Sequence, residues 1–271
     1  MDAPLSQTWP STAGGAQDRC IIRVRGLTKS FGRQPVFENL DLDVHYGEIL
    51  GIAGGSGTGK SVLLRTILGL LPYEAGTVEI FGLNFKTLSS QERIGIERQW
   101  GVLFQDGALF SSLNVLQNVQ VPMREHLDLP QKTMDELALL KIAMVGLPPN
   151  SAYKAPSELS GGMRKRAGLA RALALDPEIV FLDEPTSGLD PIAAAAFDRL
   201  IRNLQRTLGL TVYMITHDLD SIFTVCDRVA VLADGHVVRE GAPADLVRDP
   251  GHPWVKEYFC GERGRQSARA S

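Results

Sequence analysis

A glycine-rich stretch of eight residues, Gly54–Ser61 (GGSGTGKS), has the composition and spacing of a phosphate-binding loop. Its glycines allow backbone N–H groups to turn inward around phosphate oxygens, and a helix that begins near Lys60 would point its positive end at the same anion. Lys60 would reach the β- and γ-phosphates of a nucleotide, and the Ser61 hydroxyl would ligate Mg²⁺. The alternative is a glycine-rich turn with a chance lysine. The strand signal before the loop and the helix signal after it favour phosphate binding.

A second stretch with chemical potential is the apolar run Ile179–Leu182, which ends in the two carboxylates Asp183 and Glu184. Asp183 would hold Mg²⁺ through water, and Glu184 would polarise an attacking water molecule as a general base. An acidic strand end that merely faces solvent is the alternative. The phosphate loop upstream makes that alternative the weaker one.

The elements that must position these groups predict an α/β core. Strands are predicted at Cys20–Val24, Leu40–Val44, Ile49–Ala53, Ile179–Leu182 and Thr211–Ile215, with a strand pair over 76–85 and a hairpin over 228–238. Helices are predicted at Ser61–Leu70 and Ile192–Leu208. From about residue 89 to 172 the pattern is mainly helical, with breaks predicted at Pro122, Pro130, Pro148, Pro149 and Pro156.

Composition limits the functional classes. The net charge of −3 gives no basic field for nucleic acid, and no apolar run is long enough to cross a bilayer. Three scattered cysteines form neither a disulfide framework nor a metal-binding spacing, which favours a reduced cytoplasmic setting. Residues 1–19 are rich in small and polar residues and are predicted to be disordered.

The residues that point to a family are Leu159–Met163 (LSGGM), which precede a predicted helix. They resemble the L-S-G-G-Q signature of ABC transporter ATP-binding subunits, with Met163 in place of glutamine. Physically the motif is a second helix N-terminus suited to phosphate, and in the family it covers the ATP held by the other subunit. Taken alone, it would also fit an ordinary helix that is capped by Ser160.

Other positions resemble family motifs in the same order. Phe31 resembles the aromatic residue that stacks on adenine, although a core phenylalanine on a strand edge is the alternative. Gln105 resembles the Q-loop glutamine, which touches Mg²⁺ and contacts the transmembrane partner. Ser187–Asp190 resembles the D-loop at the dimer interface, and His217 resembles the switch histidine that senses the γ-phosphate.

The resemblance covers roughly residues 20–245 and implies an ABC nucleotide-binding domain. Its fold would be a P-loop NTPase (RecA-like) α/β core with an antiparallel β subdomain and a helical insert at about 89–172. Two chains would close head-to-tail on two Mg²⁺–ATP molecules. The catalytic residues would be Glu184, His217 and Lys60, and the metal ligands Ser61, Gln105 and Asp183. The residues expected to contact ATP are Phe31, Gly54, Ser56, Gly57, Thr58, Gly59, Lys60, Ser61, Val62, Gln105, Ser160, Gly161, Gly162 and Asp190.

Residues 105–126 and the Met163 signature resemble the ATPases of the Mla (maintenance of lipid asymmetry) and related MCE-protein systems. That resemblance implies phospholipid transport between the membranes of a Gram-negative bacterium. The chain would be a peripheral protein on the cytoplasmic face of the inner membrane. Its partners would be a membrane permease dimer, a periplasmic or membrane-anchored MCE lipid-binding protein and a small STAS-like regulatory subunit. An importer for a small polar solute is the alternative, and residues 105–126 would dock the permease in either case.

Two further alternatives concern the C-terminal segment and the class of function. Residues 246–271 carry Trp254, Tyr258 and Phe259, which would either pack on the neighbouring subunit of the dimer or on their own core. ABC ATPases of DNA repair or translation have a long coiled-coil insertion or two nucleotide-binding units, and the sequence has neither. A binding module without hydrolysis is disfavoured by Lys60, Glu184 and His217 together.

Overall fold

The computed structural model of the protein describes residues 20–270, so the disorder predicted for 1–19 falls outside the described residues. The strands are β1 (Cys20–Phe31), β2 (Gln34–His45), β3 (Ile49–Ala53), β4 (Ala75–Ile80), β5 (Leu83–Asn84), β6 (Trp100–Leu103), β7 (Ile179–Asp183), β8 (Thr211–Ile215), β9 (Arg228–Ala233) and β10 (His236–Gly241). Each strand predicted from the sequence is present, and β1 and β2 are longer than their apolar patterns indicated.

The α-helices lie between these strands and after the last of them. They are α1 (Lys60–Ile67), α2 (Ser90–Glu97), α3 (Val115–His126), α4 (Gln131–Met144), α5 (Gly161–Ala172), α6 (Pro191–Leu208), α7 (Leu219–Val225), α8 (Pro243–Arg248), α9 (Pro253–Cys260) and α10 (Glu262–Ala270). Within residues 20–270, no helix combines the length and the apolar composition needed to cross a bilayer.

A six-stranded sheet, in the order β10-β9-β3-β8-β7-β6, forms the centre of the domain. All its pairs are parallel except the β9–β10 hairpin. Its three central strands β3, β7 and β8 are buried at every residue, which explains their continuous apolar runs. Alternate residues of β7 enter different cores: Phe181 packs toward the antiparallel sheet, and Leu182 packs toward the helices.

A second sheet, in the order β2-β1-β4-β5, is antiparallel throughout. Together with α1 it covers one face of the six-stranded sheet, and this core includes Phe37, Leu64 and Tyr213. Helices α3 to α7 cover the other face. The predicted α/β core with an antiparallel β subdomain is confirmed.

The predicted helical insert needs two corrections. Strand β6 interrupts it and joins the edge of the six-stranded sheet, where Trp100 pairs with Ile179. This strand has only four residues, so its side chains give too short an alternation to be recognised. The second error is Pro122, which lies inside α3 and does not end it. The capping box of Asn114 and Gln117 begins this helix, which continues past the proline to His126.

The C-terminal helices fold back onto their own chain. In α9, Val255 and Phe259 are fully buried, and the Phe259 ring lies edge-on to Phe223 of α7 at 6.1 Å. Helix α9 therefore packs on the core of its own chain, as one of the two alternatives predicted. A contact with a neighbouring subunit stays a prediction.

Candidate nucleotide site

The phosphate loop connects β3 to α1, and its backbone requires glycine at several positions. Gly54, Gly57 and Gly59 have φ values of 154°, 78° and 94°, which residues with a Cβ rarely adopt. A Cβ on Gly54 would also lie 2.3 Å from the Leu232 carbonyl oxygen. The loop therefore presents backbone to the site rather than side chains, as close approach to phosphate requires.

Lys60 is the first residue of α1, and its ammonium lies over the loop. It donates hydrogen bonds of 2.8 Å to the carbonyl oxygens of Gly54 and Gly55. Burial lowers the pKa of Lys60, and the negative charges of Glu184 and Asp183 act in the opposite direction. The ammonium and the N-terminus of α1 thus place positive charge at one point, which suits a polyphosphate.

The other predicted loop contacts lie close by. Thr58 donates from its hydroxyl to the Gly55 carbonyl oxygen at 3.0 Å, while Ser56 is exposed. Val62 is partly buried against the core beneath the antiparallel sheet. Phe31, at the end of β1, is 51% exposed, so the alternative of a core phenylalanine is wrong. An exposed ring face is available for stacking on a base.

Two oxygen-bearing side chains meet where β7 ends beside α1. The Ser61 hydroxyl donates to Asp183 Oδ1 at 3.4 Å. Burial and the neighbouring charge of Glu184 raise the pKa of Asp183. A bound cation would relieve both effects, and a hydroxyl beside a carboxylate is a donor set that suits Mg²⁺. Gln105 follows the adjacent strand β6 and is exposed at the same edge of the sheet.

Glu184 and His217 meet across two neighbouring strands. Glu184 follows β7 with a φ of 50°, and its N–H donates to the Ile215 carbonyl oxygen of β8 at 3.0 Å. His217 follows β8, and its Nδ1 lies 2.7 Å from Glu184 Oε2. The carboxylate is largely shielded and the imidazole is mostly exposed. A general base held by a histidine that faces solvent can order a water molecule for in-line attack.

The signature residues lie elsewhere in the chain. The Ser160 hydroxyl accepts a hydrogen bond from the Met163 N–H at 3.3 Å, so Ser160 caps α5 as the alternative interpretation predicted. Asp190 caps α6 by accepting from the N–H groups of Ile192 and Ala193. A Cβ on Gly161 or Gly162 would lie within 4 Å of Leu189, so the two segments are adjacent. Within residues 20–270, the neighbour of Gly161 and Gly162 is thus the segment that contains Leu189.

One buried residue that sequence reasoning missed joins two of these segments. Lys165 of α5 is only 6% exposed, and its ammonium donates to the carbonyl oxygens of Gln105 and Glu184, both at 2.9 Å. Burial lowers the pKa of Lys165, against the opposing charges of Asp106, Glu184 and Asp183. The sequence places it within a basic run, Arg164–Arg166, which is typical of a solvated helix face.

The loop after Gln105 is held by Asn118 of α3, which is completely buried. Its amide oxygen accepts the Phe110 N–H at 2.8 Å. Its amide nitrogen donates to the carbonyl oxygens of Phe110, Leu113 and Asn114. Arg171 of α5 adds hydrogen bonds to the carbonyl oxygens of Gly107 and Ala108. Side chains therefore supply the partners that this irregular backbone lacks.

Comparison with known proteins identifies the same residues with a family. The family profile described as ABC transporter matches residues 37–187. The chain is 42% identical to the "Probable ribonucleotide transport ATP-binding protein mkl" of Mycobacterium leprae, over 89% of this chain and 69% of that protein. It is 40% identical to the "Intermembrane phospholipid transport system ATP-binding protein MlaF" of Haemophilus influenzae, over 84% of this chain and 86% of that protein.

Solved structures agree with the sequence comparisons. The dimeric ABC transporter cassette MJ0796 superposes with a TM-score of 0.75 at 32% identity, covering 82% of this chain and 98% of that chain. The same cassette in a post-hydrolysis state, bound to ADP and Pi, superposes with a TM-score of 0.74 at 31% identity. With its phosphate loop, its paired acidic and histidine residues and these similarities, the chain belongs to the ATP-binding subunits of ABC transporters and is an ATPase.

Proposed function

We propose that the chain powers the transport of phospholipid between the inner and outer membranes of a Gram-negative bacterium. The observation that carries this proposal is the similarity to MlaF, which extends over 86% of that protein's length. The described residues contain no membrane-crossing helix that could itself conduct a lipid. The cargo would be selected by the membrane and periplasmic partners.

In the proposed mechanism, the phosphate loop and Lys60 hold the β- and γ-phosphates of ATP. Ser61 and Asp183, with Gln105 at the same sheet edge, would hold Mg²⁺, which neutralises charge on the phosphates. Glu184 accepts a proton from the attacking water, and His217 holds the carboxylate and senses the γ-phosphate. The 2.7 Å approach of His217 to Glu184 supports these roles. Positioning and charge stabilisation supply most of the rate enhancement in phosphoryl transfer.

The nucleotide site is proposed to be completed by a second copy of the chain. Ser160 and Gly162 lie at the N-terminus of α5, and their backbone N–H groups have the orientation that favours an anion. Their own chain already supplies one phosphate cradle at α1. A head-to-tail dimer would bring the α5 cradle of one copy over the ATP of the other. Closing and reopening of this dimer would drive a permease between two states.

The proposed partners are a permease dimer that docks on residues 105–126, an MCE lipid-binding protein and a small STAS-like regulatory subunit. A second candidate function is import of a small polar solute. The similarity to a protein named for ribonucleotide transport favours it. The lipid assignment is preferred because the alignment spans more of MlaF (86%) than of the ribonucleotide protein (69%).

The test is ATP hydrolysis by the chain co-purified with its membrane partners, with bound lipid identified in the same sample by mass spectrometry. Phospholipid in the complex and stimulation of hydrolysis by phospholipid vesicles would support the proposal. Stimulation by ribonucleotides other than ATP, with no lipid bound, would assign the second function instead. The Glu184→Gln variant is the control that separates hydrolysis by this chain from a contaminant.

A further inference from the structure

Helix α9 approaches the nucleotide site from the C-terminal end of the chain. It begins where His252 accepts the Trp254 N–H on Nδ1 at 3.2 Å, with Pro253 as its first residue. His252 Nε2 also lies 3.4 Å from Asp234 Oδ2 in the β9–β10 turn. Val255 and Phe259 are fully buried beneath it. The helix is therefore fixed to the domain at its start and along its inner face.

Two aromatic side chains of α9 form a stacked pair beside the site. The Trp254 and Tyr258 rings are 4.6 Å apart and inclined by 19°. A Cβ on Gly55 would lie 3.5 Å from Trp254 Nε1, so the indole is next to the phosphate loop. The Tyr258 hydroxyl donates to the His217 carbonyl oxygen at 2.6 Å. The pair thus bridges the segment that holds phosphate and the segment that carries the histidine.

The Tyr258 contact acts on the backbone of a residue whose side chain is mostly exposed. The His217 side chain is 66% exposed, and residue 217 lies in the short connection between β8 and α7. A hydrogen bond to its carbonyl oxygen fixes the peptide plane after His217 and hence the direction in which the imidazole leaves the backbone. Burial, with the charges of Asp218 and Glu184, raises the pKa of Tyr258, so the hydroxyl remains a donor at neutral pH.

We propose that Tyr258 is a positioning residue for ATP hydrolysis, which holds His217 against Glu184 and is itself braced by Trp254 against the phosphate loop. This rests on the proposed role of His217. It makes α9 part of the chain's own nucleotide site, whether or not the C-terminal segment also contacts a second subunit. Nucleotide binding at the phosphate loop would then affect the position of His217 through the stacked rings of Trp254 and Tyr258.

The test is Tyr258→Phe in the full chain within its transporter complex, with Tyr153→Phe at an exposed position as the matched control. The hydroxyl is lost while ring packing is kept. We expect kcat to fall by about three- to tenfold, as for one hydrogen bond that matters in the transition state, with KM for ATP and Tm nearly unchanged. Tyr153→Phe should match wild type.

The route of action is tested on a His217→Ala background. If Tyr258 acts through His217, then Tyr258→Phe should change the residual kcat of His217→Ala by less than about twofold. The inference is overturned if Tyr258→Phe lowers kcat as much on the His217→Ala background as in wild type, or if the single Tyr258→Phe variant has a normal kcat. Either result leaves the proposed role of His217 intact. A wild-type rate for His217→Ala would overturn the role of His217 and this inference with it.

Discussion

His217 Nδ1 lies 2.7 Å from Glu184 Oε2, although 32 residues of chain separate the two positions. The contact exists because β7 and β8 are parallel neighbours, so that the residues after them emerge at the same edge of the sheet. The positive φ of Glu184 turns the chain there and directs its carboxylate toward the histidine. Functional groups commonly collect at the carboxyl ends of strands in open α/β sheets.

Replacing Glu184 with Gln should abolish turnover without abolishing nucleotide binding. The amide keeps the shape of the carboxylate but cannot accept the proton of the attacking water, so kcat should fall by at least about a hundredfold. Steady-state phosphate release and the affinity for a fluorescent ATP analogue measure the two effects separately. Glu178→Gln, at an exposed position just before β7, should behave as wild type. Substantial hydrolysis by the Glu184 variant would contradict the assigned base.

Replacing Lys165 with Met should reduce both stability and turnover. It would leave the carbonyl oxygens of Gln105 and Glu184 without their ammonium donor, at a cost of about 1 to 3 kcal/mol each. Because these groups flank the carboxylate of Glu184, the proposed general base, kcat should fall at temperatures well below Tm.

The matched control for Lys165 is Lys141→Met. Lys141 is also buried, and it pairs with Asp176 away from the nucleotide site. Its loss should lower Tm but leave kcat intact. Equal losses of kcat in both variants would show that Lys165 matters only for folding.

Asp198 should make stability depend on pH. Burial raises its pKa from 3.8 to about 6, and Oδ1 has no hydrogen-bond partner within residues 20–270. Folding therefore favours the protonated form of Asp198. Its contribution to the free energy of unfolding is fully present below pH 3.8 and is lost as pH rises from 3.8 to about 6.

The variant Asp198→Asn removes that titration. The free energy of unfolding in urea, taken as the variant minus wild type, should therefore rise by roughly 2 kcal/mol between pH 4 and pH 7. Asp128→Asn, at an exposed position, is the matched control. A flat difference for Asp198→Asn would mean that its carboxylate is ionised without penalty.

Gly101 and Gly95 should respond oppositely to Ala. A Cβ on Gly101 of β6 would lie 2.0 Å from the Ala172 carbonyl oxygen, and since this is backbone, the strand or α5 must shift, costing about 2 to 3 kcal/mol. Gly95 is exposed in α2 with nothing within 4 Å of its Cβ position. Gly95→Ala should therefore stabilise by about 0.5 to 1 kcal/mol. Chemical denaturation of both variants tests the close packing of β6 on α5.

The central strands and the phosphate loop could be predicted because their signals are local. Burial on both faces makes Ile49–Ala53 and Ile179–Leu182 continuously apolar, and the positive φ values of the loop demand glycine. Strand β6 could not be predicted because it depends on pairing with β7. The continuation of α3 through Pro122 could not be predicted because it depends on tertiary packing. The contacts of Lys165 and Tyr258 also depend on segments distant in sequence. Their residue types alone indicate an ordinary solvated lysine and a packed aromatic.

The buried Asn118 has a consequence for the segment that it holds. Its amide makes hydrogen bonds to the backbone of Phe110, Leu113 and Asn114, which restrain the segment after Gln105 without any other molecule bound. A membrane protein that docks there would lose little conformational freedom of this segment on association. A displacement of the domain would then be transmitted through this segment to the docked protein, with little deformation of the segment itself.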